Sequence, residues 1–255
     1  MEDKYKDLLL DAEDYLKIND ITKAKEVIQE YLNNTNIEKD TYTLDNPLEY
    51  VLLCDDLNKK EIKISPVNLS KAYAYLGCIL IEENDYKQAR EYLQKAIKLN
   101  PYNTYARFEE AESYKMASNY EKFHELTEET YKYIYKLEDL AKYLRNLAYY
   151  AVEEKEYELS KCLYIYAIQY DESKASYIKH ELDYICDVSK SRDLPHNDYV
   201  INTLEKHHIN IFISHHNLRK IYSFYDELKE TDDDFKEYLR NLINSYEEFY
   251  IEESW

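Results

Sequence analysis

The clearest pattern of apolar and polar positions lies in residues 70–101. Apolar side chains recur there every three or four residues, and after the polar residues 83–85 a second run follows with the same spacing. This spacing places each set on one face of a helix, and the polar residues between the sets predict a turn. The two sets are Tyr73, Leu76 and Leu80, and then Tyr86, Ala89, Leu93 and Ala96. The segment therefore predicts a hairpin of two helices with an apolar interior.

The hairpin pattern recurs along the chain at a nearly fixed interval. The positions of Gly77, Leu80 and Tyr86 recur 34 residues later and again 37 residues after that. An earlier copy lies 65 residues before Gly77, and the position of Ala148 recurs 34 residues later at Leu182. The later copies are Ala111, Tyr114 and Tyr120, then Ala148, Ala151 and Tyr157; the earlier copy is Ala12, Ile21 and Ala24, which precede Gly77, Tyr86 and Ala89. A fixed period of this length predicts stacked structural repeats, here four full units and a fifth first helix.

These residues resemble the tetratricopeptide-repeat family, whose pattern is W-x2-L-G-x2-Y, then A-x3-F, then a closing proline. The matching residues are Tyr73, Leu76, Gly77, Leu80, Ala89, Leu93 and Pro101. Small residues at positions 77 and 89 allow two antiparallel helices to approach closely, and Pro101 ends the second helix. The resemblance implies an all-α fold, a right-handed α-solenoid of stacked helix hairpins, with a helical insertion and a C-terminal helical cap.

The repeats divide the sequence into four regions. Residues 1–36 form the first unit, and residues 37–69 form an insertion with a short helix starting at Pro47 and an extended, strand-like crossing at residues 61–66. Residues 70–188 hold units two to four and the fifth first helix, and residues 189–255 hold an irregular linker and the cap. We expect one continuous structure. The insertion and tail also resemble a group of uncharacterised bacterial tetratricopeptide-repeat proteins, a resemblance that implies no activity.

The cap is predicted to end in a helical hairpin. The residues that face one another across it are Ile221, Tyr225 and Leu228 on one helix and Phe235, Leu239, Leu242 and Tyr246 on the other. Asp232, Asp233 and Asp234 place negative charge at the start of the last helix, where the helix dipole stabilises it.

Composition excludes several classes of protein. Gly77 is the only glycine, so we expect few tight turns, no β-hairpin fold and no glycine-rich phosphate-binding loop. With 52 acidic and 33 basic residues the net charge is -19, which disfavours binding to nucleic acids and to anionic membranes. The N-terminal residues have no signal-peptide or membrane-spanning pattern, so we expect a cytoplasmic protein.

The residues that usually bind metals or catalyse reactions are sparse. Cys54, Cys78, Cys162 and Cys186 never form a C-x-x-C pair, so we expect reduced thiols, most of them buried, and no cofactor. Residues 207–216, HHINIFISHH, hold the only dense cluster of metal-capable side chains. Their spacing does not place the histidines on one helix face, so we expect helix ends around a buried linker rather than a metal site. No nucleophile motif is present, and we predict no catalytic residues and no enzyme activity.

The first helix of each repeat lines the concave surface in proteins that this chain resembles, so its remaining side chains are the predicted binding groove. The first candidates are Ala74, Cys78 and Ile81, and the main set is Tyr105, Phe108, Glu109, Glu112, Lys142, Arg145, Asn146, Tyr149, Lys179 and His180. Among them, Lys142, Arg145 and Lys179 would form a small basic island beside the aromatic rings of Tyr105, Phe108 and Tyr149. Such a site suits a partner with acidic and apolar groups. Alternatively, the three basic residues are ordinary solvated neighbours of surface glutamates.

The sequence therefore favours a scaffold that binds another protein or a peptide in the groove. A regulatory sensor that responds to a peptide is the alternative, and a hydrolase with a histidine-based metal site is a third hypothesis. The identity of the partner, the pathway and the oligomeric state are not encoded in any motif of the chain.

Overall fold

The computed structural model describes residues 5–228 and 233–252, and this part of the chain contains thirteen α-helices and no β-strand. The all-α prediction is confirmed. The contacts divide the chain into two compact units, with unit 1 ending at Leu126 and unit 2 beginning at Thr127. The helices are α1 (Lys6–Lys17), α2 (Ile21–Asn34), α3 (Pro47–Asp56), α4 (Leu69–Glu82), α5 (Tyr86–Leu99), α6 (Thr104–Met116), α7 (Tyr120–Thr130), α8 (Leu137–Glu153), α9 (Tyr157–Tyr170), α10 (Ala175–Ser189), α11 (Asn197–Lys206), α12 (His215–Glu227) and α13 (Asp233–Glu252).

In unit 1, α4 and α5 form the predicted hairpin, and each begins at a side-chain cap. The Asn68 side chain accepts a hydrogen bond from the backbone N–H of Lys71, and Asp85 accepts one from Gln88. These caps satisfy N–H groups that the first turn of a helix leaves unpaired. Each helix therefore starts where its capping residue stands.

A very close contact joins the two helices of this hairpin. A Cβ atom built on Gly77 would lie 2.5 Å from the Cγ atom of Leu93, closer than two such atoms approach without moving. The prediction of a close approach at this glycine is confirmed. The second helix ends at Leu99, two residues before Pro101, also as predicted.

The turns within the repeats use left-handed backbone at residues other than glycine. Eight non-glycine residues of the described chain have φ between 50° and 63°, so the expectation of few tight turns is wrong. Four of the eight stand between the first and second helices of the repeats: Asn19, Asn84, Ser118 and Lys155. In each turn the backbone closes in the same way, as where the N–H of Asp85 donates to the carbonyl of Leu80 at 2.9 Å.

The insertion has the predicted elements. α3 begins at Pro47, and the side chain of Asn46 caps it by accepting from the N–H of Glu49. Tyr42 forms an isolated parallel bridge with Ile64, which lies within residues 61–66.

A buried carboxylate fastens the insertion to α5. Glu49 is 1% exposed and accepts hydrogen bonds from the backbone N–H of Asp45 and the side-chain amide of Asn100, both at 2.8 Å. Buried charge requires such donors. The N–H of Thr43 also donates to the carbonyl of Leu99 at 3.0 Å, so the insertion is held at the end of α5.

In unit 2, α8 and α9 share the most extensive contact of any two helices in the described part of that unit, and α10 and α11 both pack on α9. The Ser160 hydroxyl of α9 donates to the carbonyl of Ala148 on α8 at 2.8 Å. Lys161, whose side chain is fully buried, donates to the carbonyls of Ser191 and Asp193 in the linker after α10. The linker is thereby fixed to α9.

The last two helices form the predicted hairpin and attach to the segment before α8. Asn217 on α12 donates its side-chain amide to the carbonyls of Lys132 and Ile134, and the Tyr246 hydroxyl on α13 donates to the carbonyl of Tyr135. Ile221, Leu239 and Tyr246 are buried, in agreement with the predicted facing residues. The proposed charge at Asp232 lies outside the described residues.

Within residues 5–228 and 233–252, none of the helices has the length and hydropathy needed to cross a membrane.

Candidate functional site

The first helices of unit 1 carry a row of repeat-equivalent side chains. On α6, Tyr105, Glu109 and Glu112 are spaced four and three residues apart and share one helix face. The same positions on α4 are Lys71, Tyr75 and Cys78, and Glu13 on α1 is equivalent to Cys78. The first-helix face of unit 1 is defined here as Glu13, Lys71, Tyr75, Cys78, Tyr105 and Glu109.

Glu13 connects α1 to α4. Its carboxylate accepts hydrogen bonds from the ammonium of Lys71 at 2.8 Å and from the hydroxyl of Tyr75 at 3.0 Å. Lys17 lies 3.4 Å from its other oxygen. The hydrogen bond from Lys71 is the largest of the effects that together lower the pKa of Glu13 to about 2, and partial burial opposes them. The two helices are therefore joined by a carboxylate that stays charged at neutral pH.

Tyr105 connects α4 to α6. Its ring meets the ring of Tyr75 edge-on, with centroids 6.0 Å apart and planes at 78°, and its hydroxyl is hydrogen-bonded with the thiol of Cys78. Burial, and then the charge of Glu109, raises the pKa of Tyr105. The residue is nevertheless 37% exposed. We conclude that the hydroxyl is held inside while part of the ring faces solvent.

Three predicted groove residues of unit 1 do not line an open surface. Phe108 is 1% exposed, Ala74 1% and Ile81 5%, so the prediction that they are accessible is wrong. Phe108 and Ala74 stand at the same repeat position, and Ala74 belongs to the core cluster of unit 1. Side chains at this repeat position pack against neighbouring helices and are therefore shielded from solvent. Glu112 is partly exposed and pairs with Lys115 at 2.6 Å.

In unit 2 the predicted groove residues on α8 are not all available to a ligand. The guanidinium of Arg145 lies 3.2 Å from the carboxylate of Asp171, and both side chains are about nine-tenths buried. Burial is the largest effect on Arg145 and lowers its pKa, against the charge of Asp171. Lys142, Asn146 and Tyr149 are partly exposed. Arg145 therefore serves a buried ion pair rather than an open basic island.

Lys179 and His180 are exposed on α10. Lys179 lies at the rim of a cleft of about 320 Å³ between α9, α10 and the linker. The residues that line the cleft are Ile168, Ala175, Lys179, Leu182, Asp183, Cys186, Arg192 and Leu194.

The histidine-rich segment has the arrangement expected of helix ends. His207 and His208 follow α11 and His215 and His216 begin α12, and all four side chains are exposed. Ile211 and Ile213 between them are buried. No group of three or more histidine, cysteine or acidic residues suited to a metal ion occurs in the part of the chain that the structure describes.

Comparison with known families agrees with the repeated hairpin. The family model of the tetratricopeptide repeat matches residues 70–103, which contain most of α4, all of α5 and the cap of α6. Residues 70–103 of the chain therefore form a tetratricopeptide repeat. No curated protein matches the chain.

Tetratricopeptide repeats generally mediate interactions between proteins and generally act as non-enzymatic binding scaffolds. A scaffold for protein interaction is therefore the function that the repeat indicates for this chain. Fold alone does not identify the ligand or the surface that binds it.

On the first-helix face of unit 1, sequence reasoning missed Glu13, Lys71 and Tyr75. The signal that finds them is the period itself, because Lys71 precedes Tyr105 by 34 residues and Tyr75 precedes Glu109 by the same interval. Glu13 follows from the 65-residue interval to Cys78. Applying the period to every groove position would have identified all three.

Proposed function

We propose that this protein is a scaffold that binds a protein or peptide on the first-helix face of unit 1. The observation that supports this most directly is the connection across three first helices: Glu13 holds Lys71 and Tyr75, and Tyr75 contacts Tyr105. Side chains that are fixed beforehand lose less conformational entropy when a ligand binds. Tyrosine is also common among interface residues that contribute most to affinity.

The proposed ligand carries apolar and acidic groups. The exposed part of the Tyr105 ring suits an apolar side chain. The ammonium of Lys71 is already paired with Glu13, so it does not provide a site for an acidic group. On α8 of unit 2, Lys142, Asn146 and Tyr149 combine a cation, an amide and a ring in a second patch that we propose binds acidic groups.

We also propose a cytoplasmic location. All four cysteines are free thiols, three of them buried, which is the usual state of cysteine in a reducing compartment.

The proposal is tested by protein capture with three forms of the chain as bait. Tyr105→Ala removes the exposed ring of the first-helix face, and Tyr199→Ala truncates a tyrosine on α11 of unit 2 that is 50% exposed and does not belong to that face. We expect partners that bind the wild type and Tyr199→Ala but are lost from Tyr105→Ala. The same partners with all three baits would contradict the proposed surface.

A Lys142→Glu bait tests the second patch. Arg145 is unsuitable for charge reversal, because a glutamate there would face the buried Asp171 and destabilise the fold for reasons unrelated to binding. We expect Lys142→Glu to weaken capture of acidic partners. Unchanged capture would remove α8 from the binding surface.

A further inference from the structure

One position of the repeat carries a basic residue in the second helix of all four hairpins. Lys25 on α2 precedes Arg90 on α5 by 65 residues, His124 on α7 follows Arg90 by 34, and Lys161 on α9 follows His124 by 37. These are the intervals that separate the repeats themselves. The basic residue is therefore part of the repeat pattern, and its contacts in different repeats can be compared.

In two repeats this side chain is hydrogen-bonded just beyond the end of the next first helix. The ammonium of Lys25 donates to both carboxylate oxygens of Glu83, the residue that follows α4, at 2.7 and 2.6 Å. The ammonium of Lys161 donates to the carbonyls of Ser191 and Asp193, which follow α10. In both cases the cation connects its helix to the following hairpin or linker through oxygen acceptors.

Arg90 differs, because the acceptor is missing from the sequence. The residue equivalent to Glu83 is Ala117, 34 residues later, and it has the same backbone conformation, with φ of -85° and ψ of 9° against -78° and 0°. The guanidinium of Arg90 lies 4.5 Å from the centre of the Tyr114 ring, and its Nη1 atom is buried without a hydrogen-bond partner in the described chain. The ring stabilises the face of the guanidinium but supplies no oxygen for the N–H groups at its edge. A buried donor of this kind is destabilising until an acceptor reaches it.

The acidic residue nearby on α6 does not replace the missing carboxylate. Glu110 lies one turn before Tyr114, is 8% exposed, and accepts a hydrogen bond from Gln94 of α5 at 2.8 Å. On α5 the residues three and four positions from Arg90 are Tyr86, Lys87, Leu93 and Gln94. Such residues share a helix face with Arg90, and Lys87 adds a second positive charge to it. This face of α5 therefore carries two cations and no acid.

We propose that Arg90 binds a carboxylate of a partner protein at the junction of α5 and α6, in the position that the Glu83 carboxylate has beside Lys25 in the preceding repeat. That position is open to solvent, because 29% of the Lys25 side chain and 41% of the Glu83 side chain are exposed. Ala117 is exposed as well, so a ligand can approach over it. A guanidinium suits a carboxylate, since two parallel N–H groups can donate to its two oxygens.

The carboxylate belongs to an acidic side chain within a protein segment. Met116, next to Ala117, is 50% exposed and offers apolar contact to residues on either side of the acid. The site lies outside the first-helix face of unit 1, so the two binding surfaces are tested separately.

The probes are sodium acetate and two tripeptides with blocked ends, Leu-Glu-Leu and Leu-Gln-Leu, which differ only in the carboxylate. Each is titrated into the full chain at constant ionic strength, and the arginine Nε–H signals are followed by NMR. The chain has six arginines, so these signals are few, and Arg90→Lys identifies that of Arg90. Arg107 is the internal control, because its Nε–H already donates to the carbonyl of Pro101 at 2.7 Å.

We expect Leu-Glu-Leu to shift the Arg90 signal until it saturates, with half-saturation at a concentration at least about threefold below that of acetate. Leu-Gln-Leu should leave the signal in place, and the Arg107 signal should not move with any probe. Ala117→Glu supplies the acid within the chain, so it should weaken the response to Leu-Glu-Leu several-fold and raise the melting temperature relative to Ala117→Gln. Ala117→Gln, which has the same length without the charge, should keep the response. Tyr105→Ala should also keep it, which separates this site from the first-helix face.

Four results would overturn the proposal. An Arg90 signal that does not saturate, or that Leu-Gln-Leu shifts equally, would show that no carboxylate binds there. An unchanged response in Ala117→Glu would place the carboxylate away from residue 117. Equal half-saturation by acetate and Leu-Glu-Leu would make a small acid the ligand instead of a protein segment.

Discussion

At the scale of single residues, Lys161 is a buried charge with a full set of hydrogen bonds. Its side chain is fully buried, and its ammonium donates to the carboxylate of Glu158 and to the carbonyls of Ser191 and Asp193. Three donors meet three acceptors, so the group satisfies its hydrogen-bonding capacity without water. A buried lysine is tolerated only under such conditions, and here it determines where the linker lies.

Replacing Lys161 by methionine keeps most of the apolar stem and removes the ammonium. Two linker carbonyls then lose their donor, and we expect the free energy of unfolding to fall by about 1–3 kcal/mol. Urea denaturation measures the change, and faster hydrogen exchange in residues 189–194 would locate it. Lys174→Met, at an exposed lysine, is the control. Equal stability of the two variants would show that the buried contacts contribute nothing.

Glu13 gives a prediction about pH. Its pKa is lowered from 4.5 to about 2 in the folded chain, so between those values the unfolded state binds more protons. The stability contributed by the carboxylate is therefore complete above about pH 4.5 and disappears as the pH falls toward 2. With 34% of the side chain exposed, solvent screening reduces this contribution to about 1 kcal/mol.

The comparison that tests it is wild type against Glu13→Gln, measured by denaturant unfolding at several pH values. The variant should be less stable at pH 6 and equal to the wild type near pH 2. Glu26→Gln, at an exposed position on α2, controls for the change in net charge. A difference that is the same at all pH values would rule out the carboxylate as its source.

At the scale of helices and turns, the turn inside each repeat places a residue that has a Cβ atom in the left-handed backbone conformation. Asn19, Asn84, Ser118 and Lys155 occupy the same place after the first helix, with φ between 57° and 63°. Only glycine adopts this conformation without steric cost, and asparagine tolerates it better than lysine does. The steric cost of this conformation is small, and the conformation is adopted because the hydrogen bonds that close the turn require it.

Lys155→Gly is therefore expected to stabilise the protein by about 1 kcal/mol. The neighbouring Glu154 has φ of -77°, so Glu154→Gly provides a control in which glycine gains no steric relief and should destabilise the hairpin. Thermal unfolding followed by circular dichroism distinguishes the two directions. A lower melting temperature for Lys155→Gly would contradict the account of the turn.

Gly77→Ala tests the opposite case. Alanine is preferred over glycine in a helix by about 1 kcal/mol, but the new Cβ would overlap Leu93, which is fully buried. Overpacking of this kind costs about 1–3 kcal/mol, so we expect a net loss of stability. In a double-mutant cycle, Leu93→Ala should remove most of the penalty. Additive effects of the two substitutions would show that the contact is not what requires glycine.

At the scale of the whole molecule, the net charge of -19 opposes the compact state. Raising NaCl from about 0.01 M to about 1 M shortens the screening length from about 30 Å to about 3 Å, and we expect the melting temperature at pH 7 to rise by several degrees. Near pH 4.8, where the net charge approaches zero, the same salt should have little effect. Equal salt effects at both pH values would indicate a mechanism other than self-repulsion.

The candidate site could be predicted only in part. The repeat period located the first helices and therefore Tyr105, but it did not indicate which of the other predicted groove residues are exposed and which are buried. Phe108 packs in the core, and Arg145 forms an ion pair with Asp171. Helix rotation and contacts with residues distant in sequence determine how exposed each side chain is. For the same reason the sequence did not reveal that Lys161 is buried and hydrogen-bonded, since its partners in the linker lie about thirty residues away.

By itself, the sequence determined the helices, their order, the positions of the hairpins and the close contact at Gly77. These follow from apolar spacing, capping residues and a repeated interval, all of which act over a few turns of helix. Only the tertiary structure decided which groove side chains remain exposed, which non-glycine residues adopt left-handed backbone, and that a cleft opens along α10. Those outcomes depend on the packing of helices that are distant in sequence, and local patterns do not encode that packing.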